Sequence, residues 1–174
     1  MTEGYRATVT DGRQPPLLFL DVDGPLLPFG GSPQPAPRGS VDSARLGRLR
    51  VDTGPRLAGL PCTLVWATTW LDDANTEIAP RLGLPDLPVV TWPEPTAAHE
   101  REDQWFGLCW KTRTVADWAA GRPFAWLDDE ITDADREWVS AHYQAPALLR
   151  SVDASHGLTD QDFTALEAWL RELP

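Results

Sequence analysis

Acidic and hydroxyl side chains follow three short apolar runs of this sequence, and such side chains bind metal ions and phosphate. They are Asp21 and Asp23 after residues 17–20, Thr68 and Thr69 after residues 63–67, and Asp128, Asp129 and Glu130 after residues 124–127. Five carboxylates brought close together repel strongly unless a cation neutralises them. Hard carboxylate oxygens suit Mg²⁺, which keeps several waters and recruits substrate phosphate as a further ligand. The residue types therefore predict phosphate chemistry at a divalent metal site.

The apolar runs themselves predict buried parallel strands. None of them alternates between apolar and polar residues, so each fits a strand that is buried on both faces. Two further runs, at residues 87–90 and 147–149, bring the predicted number of strands to five. Helical segments separate most of the runs, which predicts an α/β three-layer sandwich with a mainly parallel, Rossmann-like sheet. Because ligands bind beyond the carboxyl ends of such strands, we expect the acidic and hydroxyl side chains to converge at one edge.

Caps and periodicity predict four helices, at residues 73–82, 112–120, 133–142 and after Thr159. Gly83 is placed to end the first helix, although Pro80 offers an earlier stop. Thr132 and Thr159 each stand three residues before an aspartate, which is the spacing of a capping box. The acidic run at residues 94–103 is interpreted as a solvated loop.

Residues 25–51 differ from the rest of the chain and are predicted to form a Pro-rich flap. Five prolines and three glycines between residues 25 and 39 exclude a regular helix or a central strand there. Residues 45–51 fit either a short returning strand or a helix. With 174 residues, no long linker and no internal repeat, the chain is expected to be a single domain spanning residues 1–174.

The charge and the apolar runs limit the partners. The 26 acidic and 15 basic side chains give a net charge of −11, which argues against nucleic-acid binding mainly through a basic face. No apolar run approaches the ~18 residues of a membrane span, and residues 1–16 do not resemble a secretory signal. Cys62 and Cys109 lack metal-site spacing and are interpreted as small hydrophobes of a reducing compartment. We therefore expect a cytoplasmic protein with no membrane partner.

The chemistry-bearing residues resemble, in order, the four motifs of the haloacid dehalogenase (HAD) superfamily. Residues 21–26, DVDGPL, resemble the first motif, DxDGxL, and Thr68 resembles the Thr or Ser of the second motif. Lys111 resembles the third motif, and residues 127–130, LDDE, resemble the fourth. The resemblance spans residues 17–130.

Two stretches outside the motifs make the resemblance more specific. The sequences WATTW at residues 66–70 and GRPFAWLDDE at residues 121–130 are similar to a compact bacterial group of HAD-like proteins. Relatives of that group occur in predicted RNA-repair proteins. The resemblance therefore implies a compact HAD-like hydrolase, and the presence of Asp23, which dehalogenating members lack, points to phosphoryl transfer.

The resemblance implies a Mg²⁺-dependent phosphomonoester hydrolase with an aspartyl-phosphate intermediate. Asp21 is then the nucleophile, and Asp23 is the general acid and base. The carboxylates of Asp21 and Asp128 and the backbone carbonyl of Asp23 hold the metal, with Asp129 supporting its waters.

Thr68 and Lys111 are implied to bind the phosphoryl oxygens, and both assignments have an alternative. Thr69 is the alternative to Thr68, because adjacent residues of a strand point in opposite directions and only one faces the site. Lys111 is the sole lysine of the chain, and Arg113 is the alternative cation.

The intervals between the motifs are too short for a full cap domain, which predicts a minimal cap or none. The expected site is open and covered at most by the flap at residues 25–51. Such a site admits either a small phosphorylated molecule or a phosphate exposed on a larger one. Three functions follow: a phosphomonoesterase, a nucleic-acid end-processing phosphatase that the net charge disfavours, and a non-catalytic HAD-like binding domain.

Overall fold

The computed structural model describes residues 14–29 and 46–174, and a parallel sheet lies at its centre. Its strands are β1 (Leu17–Leu20), β2 (Thr63–Trp66), β3 (Phe124–Asp128) and β4 (Ala147–Ser151). They are ordered β2-β1-β3-β4, and all pairs are parallel. Leu20 pairs with Trp66 on one side and with Leu127 on the other, so the residues that follow these three strands emerge at the same edge. The α/β fold with a parallel sheet is confirmed.

The sheet of the described residues has four strands, not the predicted five. The expected strand at residues 87–90 makes one parallel bridge, between Val89 and Trp66. The Trp66 amide donates to the Pro88 carbonyl, and the Val90 amide donates to the Trp66 carbonyl, both at 2.8 Å. Pro88 has no amide hydrogen, so it cannot donate to a longer ladder. This segment therefore lies beside β2 without becoming a strand.

Helices connect the strands. They are α1 (Thr53–Ala58), a π-helical segment (Ala74–Ile78) that continues into α2 (Ala79–Leu82), α3 (Ala97–Phe106), α4 (Thr112–Ala119), α5 (Asp133–His142) and α6 (Asp160–Glu172). Thr132 and Thr159 form the predicted capping boxes of α5 and α6. Gly83 ends α2 in the left-handed conformation, at φ 68°. Pro80 does not stop this helix, because it lies in the first turn of α2, where a missing amide hydrogen costs little.

The interpretation of residues 94–103 as a loop is wrong, because α3 covers most of them. Thr96 caps this helix by accepting a hydrogen bond from the His99 amide. None of its ten residues is buried. The helix therefore lacks the apolar stripe that marks a helix in a sequence.

Two apolar clusters pack on the two faces of the sheet. Leu18 and Leu20 of β1 belong to the cluster that includes residues of α1, α2 and α6. Leu17 and Phe19 belong to the cluster that includes residues of α4 and α5. The alternation along β1 thus separates two helical layers, which gives the sandwich its three layers. Every helix among the described residues is too short or too polar to cross a membrane.

Both ends of the predicted flap are attached to the core, whereas residues 30–45 lie outside the described part of the chain. Leu26 and Leu27 are buried, and the Arg50 amide donates to the Leu26 carbonyl at 2.9 Å. The Leu158 amide donates to the Pro25 carbonyl at 2.9 Å. Of residues 46–51, Leu46 is helical, residues 47–48 form a turn and none lies in a strand, so neither the strand nor the full helix considered for 45–51 is present in its described part.

Candidate active site

The carboxyl ends of the three central strands bring the predicted site residues to one edge of the sheet. Asp21 follows β1 directly, Asp128 is the last residue of β3, and Thr68 lies two residues beyond β2. The Asp21 amide donates to the Leu127 carbonyl at 3.1 Å, which extends the ladder beyond β1. Asp21 is buried and Asp128 has no exposed surface. The sheet therefore fixes two buried carboxylates on neighbouring strands.

Lys111 lies between these two carboxylates. Its Nζ donates to Oδ2 of Asp21 at 2.8 Å and to Oδ2 of Asp128 at 2.7 Å, and it lies 3.5 Å from Oε2 of Glu130. Lys111 is only 1% exposed, so these are charge-assisted bonds in a site of low dielectric. Arg113, the alternative cation, pairs instead with Glu102 and Asp103.

The cap of α5 also holds the segment that carries Lys111. Asp135 closes the capping box with Thr132 and has no exposed surface. Its Oδ1 accepts from the Cys109 amide at 2.8 Å and from Oγ1 of Thr112 at 2.6 Å. Because Cys109 and Thr112 flank Lys111, this one carboxylate fixes the backbone from which the lysine reaches the site. Sequence reasoning identified Asp135 as a cap but missed this second role.

Backbone and indole groups orient the other oxygens of the buried pair. Oδ1 of Asp21 accepts from the Val22 amide at 2.7 Å, and Oδ1 of Asp128 accepts from the Glu130 amide at 3.0 Å. Nε1 of Trp126 is 3.3 Å from Oδ2 of Asp128. Trp126 was not singled out from the sequence, although its position two residues before Asp128 places both side chains on one face of β3. Both carboxylates are thus oriented in advance of any ligand.

Asp129 approaches the first motif closely, and Gly24 makes that approach possible. A Cβ added to Gly24 would lie 2.8 Å from Cγ of Asp129. Gly24 also has φ +91°, a conformation that residues with a Cβ rarely adopt. Glycine is therefore needed at this position both for the turn and for the contact with Asp129.

The donor set fits a hard divalent cation. One carboxylate oxygen each from Asp21, Asp128 and Asp129 lies within 4.8 Å of the others. Oxygen ligands of this kind suit Mg²⁺. Three carboxyl groups share the single ammonium of Lys111, so their full ionisation leaves excess negative charge, which a divalent cation would neutralise. The residues present thus fit the metal that the family resemblance implies.

Burial and repulsion between neighbouring carboxylates raise the pKa values of the carboxyl groups at this site. Burial, followed by repulsion from Asp128, raises the pKa of Asp21 to about 8. Burial also raises the pKa of Asp128, and burial with repulsion from Asp128 raises the pKa of Asp129 to about 6. Burial lowers the pKa of Lys111, but attraction to Asp21 and Asp128 outweighs it, so the net shift is upward and the lysine stays charged.

Trp70 connects Asp23 to the predicted phosphate-binding threonine. Its Nε1 donates to Oδ2 of Asp23 at 3.0 Å, and its backbone amide donates to Oγ1 of Thr68 at 3.3 Å. Thr68 is buried, whereas Thr69 is exposed, so the two threonines differ in environment. Sequence reasoning missed this role of Trp70, which lies in the turn beyond β2.

The comparisons with known proteins give one match. A family model described as the HAD domain in Swiss Army Knife RNA repair proteins matches residues 17–163. The match begins at the first residue of β1 and ends within α6, so it includes all four strands and the acidic site. No curated protein and no solved structure gives a significant match to the chain.

Proposed function

The chain belongs to the family of HAD domains in Swiss Army Knife RNA repair proteins, and we propose that it is a Mg²⁺-dependent phosphomonoester hydrolase. The family indicates a hydrolase of the HAD superfamily. The observation that supports the specific reaction is the buried group of Asp21, Lys111 and Asp128, joined by bonds of 2.8 and 2.7 Å. It combines a nucleophile, a fixed cation and a metal-binding carboxylate at the carboxyl ends of parallel strands.

Asp21 is the nucleophile in this proposal. A carboxylate oxygen attacks phosphorus, a bond forms between that oxygen and phosphorus, and the bond from phosphorus to the leaving oxygen breaks. Water then attacks the phosphorus of the aspartyl phosphate, which releases inorganic phosphate and restores the Asp21 carboxylate. The Val22 amide and the Lys111 ammonium hold the two oxygens of Asp21, so its attack requires little reorganisation.

Asp23 transfers the protons of both steps. It gives a proton to the leaving oxygen in the first step and takes one from water in the second. The hydrogen bond from the Trp70 indole supports this role, because it fixes the direction of the Asp23 carboxyl group. Trp70 is thus a positioning residue that connects the second motif to the first.

Lys111 and Thr68 bind the phosphoryl oxygens, where negative charge accumulates during transfer. The carboxylates of Asp21 and Asp128 and the Asp23 carbonyl would hold Mg²⁺, with the carboxylate of Asp129 beside them. When bound, this cation supplies positive charge that neutralises the carboxylates and the phosphoryl group. The burial of Lys111, with its upward pKa shift, supports a lysine that keeps its charge throughout the reaction.

A narrower function is favoured by the family description. Family members are HAD domains in RNA repair proteins, so we propose processing of a phosphorylated nucleic-acid end as the second candidate. The minimal cap that the short intervals between the motifs predict would suit a phosphate at the end of a large molecule. The net charge of −11 opposes strong attraction of a polyanion, which limits this candidate to short or terminal contacts.

A panel of phosphomonoesters tests the proposal. The panel contains sugar, nucleotide, peptide and oligonucleotide phosphates, incubated with the purified protein in Mg²⁺ and, separately, in EDTA. We expect turnover with Mg²⁺ that Asp21→Asn lowers by at least about 10³-fold while the variant remains folded. Near wild-type turnover by Asp21→Asn refutes the nucleophile, and no turnover across the panel favours a non-catalytic binding domain.

A further inference from the structure

Two tryptophans, one exposed and one half-buried, form an aromatic pair beside the acidic site. Trp110 precedes Lys111 in the chain, and 47% of its surface is exposed. The Trp92 ring packs against it with a centroid distance of 4.9 Å and an interplanar angle of 65°. Nζ of Lys111 lies 5.5 Å from the centre of the Trp110 ring. An exposed indole thus lies next to the cation of the proposed phosphate site.

Trp92 attaches this pair to the second motif. Its Nε1 donates to the backbone carbonyl of Thr68 at 3.1 Å, and its ring is half-buried in the cluster beneath the sheet. Trp110 is therefore connected to both proposed phosphate-binding residues, to Lys111 through the chain and to Thr68 through Trp92. A large exposed aromatic side chain held in this way is already in position for a flat ligand, which lowers the entropy cost of binding.

The Trp110 ring is close enough to the nucleophile for one ligand to contact both. Nζ of Lys111 is 2.8 Å from Oδ2 of Asp21 and 5.5 Å from the Trp110 ring centre, so that oxygen and that ring are at most about 8 Å apart. A nucleotide carries its base one sugar away from its phosphate, so its base can reach a ring within this distance while its phosphate meets Asp21. The second candidate function, a phosphorylated nucleic-acid end, supplies such a base.

The charges around the site favour stacking over backbone contacts. Arg113, the basic residue nearest to Lys111 in the sequence, is paired with Glu102 and Asp103, and the whole chain carries a charge of −11. Binding that tracks many phosphates needs free lysines and arginines. Stacking of a base on an aromatic ring contributes about 1–3 kcal/mol per base without any cation. Stacking is therefore the interaction by which this acidic protein can bind a nucleotide.

We propose that Trp110, supported by Trp92, is the stacking surface for the nucleobase next to the phosphate that the enzyme removes. The substrate class is a phosphorylated nucleotide end whose terminal base is unpaired and free to stack. This inference rests on the proposed phosphatase function and adds the recognition element beside it.

The test compares substrates with and without a base. Nucleoside monophosphates, ribose phosphate and a phosphotyrosine peptide are hydrolysed by wild type, Trp110→Ala, Trp110→Phe and Trp105→Ala. Trp105 is the control, because it is 84% exposed on α3 and has no assigned part in the site. We expect Trp110→Ala to raise KM for nucleotides about 5- to 150-fold more than for ribose phosphate, which corresponds to one stacked base. Trp110→Phe should recover most of this loss, and Trp105→Ala should match wild type.

Three results would overturn the stacking site. They are equal KM changes for nucleotide and ribose phosphate, equal losses from Trp110→Ala and Trp105→Ala, and a larger loss for the phosphotyrosine peptide than for the nucleotides. Calorimetric binding of adenosine monophosphate in Mg²⁺ separates this inference from the proposed function. Weaker binding by Trp110→Ala supports the site even if wild type hydrolyses nothing, whereas turnover without base dependence rejects the site and retains the phosphatase.

Discussion

Replacement of Lys111 by methionine removes the ammonium group that contacts both Asp21 and Asp128. Methionine has nearly the same length, so the change removes charge and three donors with little change in volume. Asp128, which has no exposed surface, then loses the cation 2.7 Å from its Oδ2. In the metal-free protein at pH 7, we expect Lys111→Met to be strongly destabilised.

The size of the loss follows from the burial of the group. Removing one partner of a buried ion pair costs about 3–5 kcal/mol, because it leaves an uncompensated charge. For a chain of 174 residues, that loss lowers the melting temperature by roughly 6–20 °C. The loss should shrink as pH falls below the raised pKa of Asp21, about 8, because protonated carboxyl groups need no counter-ion. Addition of Asp21→Asn to Lys111→Met should recover part of it, because it removes one of the two acids.

Urea unfolding followed by circular dichroism in EDTA measures these differences. Arg81→Met is the matched control, because Arg81 pairs with Glu77 at 3.0 Å on an exposed helical surface. Such a pair contributes only about 0.3–0.5 kcal/mol. If Lys111→Met loses no more stability at pH 7 than Arg81→Met does, the lysine does not neutralise the buried carboxylates, and the electrostatic account of the site is refuted.

Three further outcomes are expected. Gly24→Ala should lower both Mg²⁺ affinity and stability, because its Cβ would lie 2.8 Å from Asp129. Gly83→Ala, which is also at positive φ but has open space around it, should lower stability only. Calorimetry in which both variants bind Mg²⁺ like wild type would contradict this. Without metal, the pKa of Asp21 is raised from 3.8 to about 8, so the stability of wild type relative to Asp21→Asn should fall as pH rises from about 4 to about 8. Unfolding titrations that show this difference constant or rising with pH would refute it. Asp23→Asn should slow hydrolysis of phosphates with poor leaving groups most, because those need protonation, and equal losses in kcat for good and poor leaving groups would count against a general acid.

Much of the fold follows from short-range rules that a sequence displays. The capping boxes at Thr132 and Thr159 span only four residues each, and both helices begin as predicted. The uninterrupted apolar runs marked the four strands for the same reason. By contrast, α3 buries none of its residues, so no apolar periodicity in the sequence predicts it. The run at residues 87–90 looked like a fifth strand, but the missing amide of Pro88 limits its pairing to one bridge.

The candidate site shows a similar division between local and long-range features. Asp21 and Asp128 could be identified because acids that end buried parallel strands must meet at one edge. The contacts of Trp70 with Asp23 and of Trp92 with Thr68 join residues 47 and 24 positions apart. Nothing in the local sequence specifies such contacts, because they depend on how loops beyond different strands pack. The same is true of Gly24, which must lack a Cβ because Asp129 approaches it closely.

Chemical trapping of the covalent intermediate tests the central claim most directly. Borohydride reduces the carbonyl carbon of an acyl phosphate to an alcohol, whereas a free carboxylate resists it. The protein is mixed with Mg²⁺ and a phosphomonoester that it hydrolyses, treated with borohydride and digested for peptide mass spectrometry. The account predicts reduction at Asp21 alone, dependent on substrate and on Mg²⁺. Reduction at a different carboxylate, or continued turnover with Asp21 unmodified, would contradict it.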